Sequence, residues 1–297
     1  ATGEAHLHRV TAFVVPVAGM QRLVHVPDEM HHELQGLRAL GAAASAVGQD
    51  GHLRLHRPHH AIALGAVARG LVRALLFADE FNDGKLDRSK WGVIGPDFWV
   101  NNEQQAYLPS ANALDGTGNA VISTEKLSSP ITNGQCLAWS GSCSFTSGRF
   151  DTQGKVSFQY GLIEARVQNP VGGANWPAFW MLGTDITSVG WPSSGEIDIM
   201  EGKSSSLVAG AIHWSNGGND AYAYANYSAS SFTNDYHVYS VHWLENYIAL
   251  YVDGNKILER TNTTLDQPGA WAFNHPFFII FNNAISPAGG FSDAYNG

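Results

Sequence analysis

From about residue 75 onward, apolar residues recur at every second position or run unbroken over short stretches. NAVISTEK (119–126), GLIEARVQNP (161–170), AGAIHWSN (209–216), HVYSVHW (237–243), YIALYVDG (247–254) and PFFIIFNN (276–283) carry the pattern, each bounded by Gly, Asn, Asp or Pro. Alternation marks a strand with one buried face, and an unbroken apolar run marks a strand buried on both. VDGNK (252–256) reads as a turn between strands, since Asp253 and Gly254 tolerate positive φ. Long helical periodicity is absent. The pattern predicts an all-β, antiparallel two-sheet sandwich, with a barrel as the second choice.

The first seventy-odd residues follow a different rule. HHELQGLRALGAAASAV (31–47) and AIALGAVARGLVRALLF (61–77) have the Ala and Leu content of helices. The second is too short, and too interrupted by Arg69 and Arg73, to span a membrane. Composition breaks at the same place: nine of the thirteen His come before residue 76, and all nine Trp and ten Tyr come after it. Two unlike pieces are therefore expected. Residues 1–74 form a non-catalytic extension, poorly ordered or partly helical, and residues 75–297 form the sandwich. HRPHH (56–60) has metal-binding residue types but no partner ligands at a recognisable spacing, so no metal site is assigned.

Charge narrows the partners. A formal net charge of −9 argues against nucleic acid, whose phosphates need a basic footprint, and makes an anionic polymer a poor match. An uncharged substrate fits better, and no membrane partner is indicated. Cys136 and Cys143 suit either a local disulfide or two reduced thiols, and are too few for zinc without help. No leader is recognisable at Ala1, which fits one that was removed or never included.

Against this sparing use of charge, GEIDIMEG (195–202) places Glu196, Asp198 and Glu201 within six residues. Glu196 and Asp198 share one face of a strand, but Glu201 has the wrong parity. Continued strictly, it would enter the core beside the isoleucines, where an unpaired carboxylate is costly. One extra residue inserted as a β-bulge, near Ile199 or Met200, returns it to the face of Glu196. Three acids would then line a groove. Two carboxylates about 5–5.5 Å apart across an acetal are the equipment of a retaining glycosidase. Crowding also raises the proton affinity of at least one of them. The competing readings are a calcium-binding acidic strand and a merely solvated face.

The surroundings favour sugar chemistry. Trp176, Phe179, Trp180, Trp191 and Trp214 crowd the same region, and about half are expected to be core. Indoles stack on the flat faces of sugar rings while polar side chains take the hydroxyls. In NNEQQAY (101–107), Asn101, Glu103, Gln105 and Tyr107 share one face of a strand and suit a polar wall.

On these residues the chain resembles glycoside hydrolase family 16. The resemblance runs from LLFADEF (75–81) through TSGRFDTQGKVSFQYGLIEARV, WPAFWML, WPSSGEIDIME, AIHW and HVYSVHWLENYIALYVDG to PFFIIFNNA, in order and with spacing intact. It implies a β-jelly-roll sandwich with a concave substrate cleft. It further implies that Glu196 is the nucleophile, Asp198 its supporting acid and Glu201 the acid/base. Asn101, Arg149, Trp176, Trp180, Trp191 and His213 would contact sugar. The longer, bulged spacing of the acids is most similar to endo-β-1,3-glucanases of laminarin type. A secreted monomer needing no cofactor for catalysis is expected. Alternatives on the same machinery are a β-glycanase or transglycosylase acting on mixed-linkage glucan or galactan, or a polysaccharide-binding pseudoenzyme.

Two departures stand out. Family members close with a strand containing a VDYVRV-like segment, whereas this chain stops at GGFSDAYNG, so an unpaired sheet position is expected. A structural calcium, held in the family near the positions of Glu80 and Gly116 and by an aspartate on that strand, is doubtful here. FNNAISPAGG also replaces the more usual LNLAVGG.

Overall fold

The computed structural model describes residues 2–14, 74–96, 101–136, 141–288 and 290–292. They form the expected jelly-roll sandwich of two sheets, antiparallel throughout except for one pair. One half of the larger sheet runs β16 (Asn255–Thr261), β15 (Tyr247–Val252), β14 (His237–Leu244) and β9 (Gly161–Gln168). It continues through β1 (Thr2–Val14) to β6 (Ala120–Ile131), β7 (Cys143–Ser147) and β4 (Gln105–Tyr107). Two further strands, β2 (Ala74–Asp79) and β5 (Asn112–Leu114), pair with β1 and β6. The smaller sheet runs β13 (Asn219–Ser228), β12 (Leu207–Asn216), β11 (Glu196–Ser204) and β10 (Asn175–Gly183), then β17 (Phe277–Ile285), β8 (Arg149–Asp151) and β3 (Gly92–Val93).

The core lies between the sheets and is built by the alternation that the sequence displays. Phe179 and Met181 of β10, Ile197 of β11 and Ile279 and Phe281 of β17 face Ile163, Ala165 and Val167 of β9 and Tyr239, Val241 and Trp243 of β14. Phe179 stacks on Phe281 at 4.7 Å, and Phe281 on Phe150 at 5.4 Å. Phe179 and Trp214 are fully buried, which leaves Trp176, Trp180 and Trp191 of the five candidate rings on the outer face of the smaller sheet. Cys136 and Cys143 are joined in a disulfide. Among the described residues the α-helix is a single turn, α1 (Ile186–Val189), and no helix is long and apolar enough to cross a membrane.

One expectation needs correcting. An extension over residues 1–74 that stands apart from the sandwich does not hold for residues 2–14. These form β1, in the middle of the larger sheet, with β9 on one side and β2 and β6 on the other. The sheet therefore has no open position between β6 and β9, contrary to the unpaired position expected from the missing family strand. The physical reason is parity. Ala5 and Leu7 point into the core, the register against β9 shifts after Leu7, and Val10 and Ala12 point into the core beyond the shift. Each fully buried Val or Leu favours folding by about 1.5–3 kcal/mol relative to exposure. The helix expected over 31–47 and the HRPHH motif lie outside the described residues. So does most of the second expected helix; its last residues, 74–77, belong to β2.

Candidate active site

β11 is entered through Gly195, whose φ of 70° and 2.8 Å clearance between a notional Cβ and the Ala272 carbonyl exclude a side chain. Along β10, Trp180 lies opposite Asp198 but Phe179 lies opposite Met200. Along β12, Ala211 opposes Asp198 and Ala209 opposes Glu201. Ile199 is thus the extra residue. It is buried in the core together with Met200, at 0% and 1% exposure, and Glu201 emerges on the face of Glu196. The bulge expected from parity is present, and it gathers the three acids.

Register extends this face across the sheet in rows. Tyr222, His213, Glu196 and Leu182 make one row; Tyr224, Ala211, Asp198, Trp180 and Ile280 the next. Asn226, Ala209, Glu201, Ala178, Asn282 and Arg149 make the third. The acids occupy the middle of a broad open face, flanked on both sides.

Each glutamate has its own indole donor. Trp191 Nε1 donates to Glu196 Oε2 at 2.9 Å, and Trp176 Nε1 donates to Glu201 Oε1 at 2.8 Å. Asp198, buried between them, lies 3.4 Å from His213 Nε2 and its charge acts on both glutamates. On its other side, His213 Nδ1 is 2.9 Å from Asp220 Oδ1.

These contacts set the protonation pattern. Burial and the charge of Asp198 push Glu201 up to about 8, although the Trp176 N–H, His213 and Lys203 pull the other way. Burial and Asp198 likewise push Glu196 well above the usual carboxylate range, with His213 opposing. Burial disfavours charge on His213, yet Asp198, Glu196 and Asp220 outweigh it and raise the imidazole to about 10. At neutral pH the site therefore holds an imidazolium and at least one carboxylic acid.

Of the six expected sugar contacts, the structure brings Trp176, Trp191 and His213 directly onto the acids. Trp180 donates to Asn282 Oδ1 at 2.7 Å and carries the Arg149 guanidinium over its ring at 5.5 Å. Asn282 in turn donates to the Tyr107 hydroxyl at 3.0 Å, so the expected polar wall reaches the site through Tyr107. Asn101 sits before that strand in an exposed turn with φ 56°, and Glu103 is buried as the acceptor of Gln105. Four residues escaped the sequence reading: Asp220, Asn282, Tyr224 and Phe291. Phe291 stacks on Trp176 at 4.5 Å and 15°, and Lys203 Nζ lies 4.8 Å from its ring centre.

Oxygen and nitrogen atoms of Glu196, Asp198 and His213 lie within 4.8 Å of one another. His213, the third member, already has a carboxylate beside each ring nitrogen, Asp198 at Nε2 and Asp220 at Nδ1. Arg9 of β1 pairs with the side chain of Glu80, near which the family resemblance implies a calcium, at 2.7 Å.

Comparison with known proteins agrees with this geometry. The sequence model of glycosyl hydrolases family 16 matches residues 101–289. The chain is 35% identical over 239 residues to glucan endo-1,3-beta-glucosidase A1 of Niallia circulans, a match covering 71% of this chain and 33% of that protein. It is 32% identical over 233 residues to the beta-glucanase of Rhodothermus marinus, covering 73% and 77% respectively. The chain thus spans about a third of the first relative and most of the second. Among solved structures, the endo-beta-1,3-glucanase of Pyrococcus furiosus superposes with a TM-score of 0.64 at 31% identity, covering 72% of this chain and 85% of that one. Fold, matched segment and identity converge: the chain belongs to glycosyl hydrolases family 16.

Proposed function

We propose that the chain is a retaining endo-β-1,3-glucanase acting on laminarin-type polysaccharide. One observation carries the reading: the bulge at Ile199 puts Glu196, Asp198 and Glu201 on one open face, with a separate tryptophan N–H for each glutamate. The names of the relatives supply the linkage, and the low charge of the chain suits a neutral glucan.

Glu196 attacks the anomeric carbon as the bond to the departing sugar breaks, and the Glu201 proton passes to the leaving oxygen. Water then adds to the same carbon from the vacated side. Glu201 takes its proton and Glu196 departs, so the configuration is retained. A Glu201 raised to about 8 carries the proton that the first step needs at neutral pH. Glu196 must react ionised. The Trp191 N–H and the His213 cation favour that form, and so does positive charge developing on the sugar. Asp198 holds the His213 cation beside Glu196. No cofactor enters the scheme.

The Cys136–Cys143 disulfide suits an oxidising, extracellular location, and we take the working form to be a monomer. Proton NMR of laminarin digestion tests the proposal, with the β-anomer expected as the first product. The α-anomer would exclude retention. Sugar binding without new reducing ends would make the chain a binding protein, and preferential cleavage of another polysaccharide would reassign the substrate.

A further inference from the structure

β17 ends at Ile285, and the residues beyond it fold back onto the site. The Ser286 N–H donates to the Ala174 carbonyl at 2.8 Å, just ahead of Trp176 on β10. The chain then turns. Gly290 N–H donates to the Pro287 carbonyl at 2.9 Å, and Ser292 N–H donates to Ser286 Oγ at 3.3 Å. A Cβ at Gly290 would lie 2.4 Å from Ser286 Oγ and 2.9 Å from the Pro287 carbonyl, so the turn is built for glycine. It delivers Phe291 flat onto Trp176, with ring centres 4.5 Å apart and planes 15° from parallel.

The same ring has a second neighbour. Lys203, two residues beyond Glu201 on β11, holds its Nζ 4.8 Å from the centre of Phe291, within cation–π reach. Its two neighbours have one thing in common. The Trp176 N–H donates to Glu201, Lys203 places a positive charge beside it, and both favour the ionised carboxylate against burial and Asp198. The other charged groups facing Glu201 stand on other parts of the sheet. Glu196 and Asp198 precede it on β11, His213 is on β12, and Arg149 of β8 closes its row beyond Asn282. Tyr224 of β13 lies on Lys203 at 5.8 Å.

We propose that Phe291 is a positioning residue for the hydrolysis: one ring holds both the Trp176 N–H and the Lys203 ammonium against Glu201. Acting through these two neighbours, it sets how readily the acid/base gives up its proton. This rests on the reading of Glu201 as the acid/base.

The test is the pH profile of laminarin hydrolysis by the full chain and by F291A, F291L and F291Y. F291L keeps apolar volume without a ring, so it separates stacking from simple filling and serves alone should F291A fail to fold. In F291A and F291L the falling limb of kcat/KM, expected at about 8 in the parent, moves to higher pH. Their kcat falls about threefold with KM little changed, and F291Y keeps the parent profile. In W176F/K203M both partners are already gone, and adding F291A moves the limb no further. A limb left in place by F291L overturns the proposal, as does a further shift in the triple variant. A raised KM with kcat intact makes the ring a sugar contact and overturns it too. All three outcomes leave the reading of Glu201 standing. That reading is decided separately by E201Q, whose near-normal hydrolysis would overturn both.

Discussion

Trp176 donates its indole N–H to Glu201 across 2.8 Å, and Phe291 lies flat against the same indole. A donor to a carboxylate favours the ionised form. Trp176 therefore restrains a glutamate that burial and Asp198 drive upward. In W176F the restraint is gone, and Glu201 keeps its proton to higher pH. The falling limb of kcat/KM, expected at about 8 in the parent, moves upward, while the maximum drops about tenfold from lost positioning. An unmoved limb would mean that another group sets it.

The bulge makes an unusual deletion informative. Without Ile199 the strand reads Glu-Ile-Asp-Met-Glu, and strict alternation then puts all three acids on one face. The deletion variant is expected to fold, losing about 2 kcal/mol in chemical denaturation from the missing apolar burial, and to retain measurable hydrolysis.

His213 is held between Asp198 and Asp220, so D220N removes one of its two anionic partners. NMR titration should show the imidazole losing its proton at a pH below about 10. The stability consequence has a definite sign. A His raised in the folded state stabilises fully below its unfolded value and loses that contribution as pH rises through about 10. The parent should exceed D220N by about 1 kcal/mol near neutrality, with the gap closing above pH about 10.

Val10 is fully buried in the centre of the larger sheet. V10D is expected to destabilise by more than about 3 kcal/mol and to give insoluble protein, because the carboxylate has no partner there. Native-like melting of V10D would show that residues 2–14 are dispensable.

The sequence disclosed the bulge in β11 because three charged residues made the parity conflict visible. An equivalent register shift in β1 passed unread. There the strand follows Ala5, Leu7, Val10 and Ala12 through the shift after Leu7, among histidines, and the compositional break drew attention to a separate extension. Asp220 was recoverable. The Asn-Gly-Gly-Asn turn, with both central glycines at positive φ, fixes Asn216 opposite Asn219 and hence His213 near Asp220. Tyr107–Asn282–Trp180 was not, since segments far apart in sequence meet only through the folded sheets. Phe291 falls just after FNNAISPAGG, the segment that departs from the family pattern, and alternation says nothing about a loop folding back onto an indole.

β1 is the joint of the larger sheet. During synthesis it emerges before all three of its neighbours, β9 following about 150 residues later. Its pairing waits on segments far along the chain, and a long loop must close before its apolar side chains leave water. Until then the nascent chain carries a hydrophobic ribbon whose sheet is incomplete. Slow maturation and a need for chaperone protection are built into the order in which this polypeptide is made.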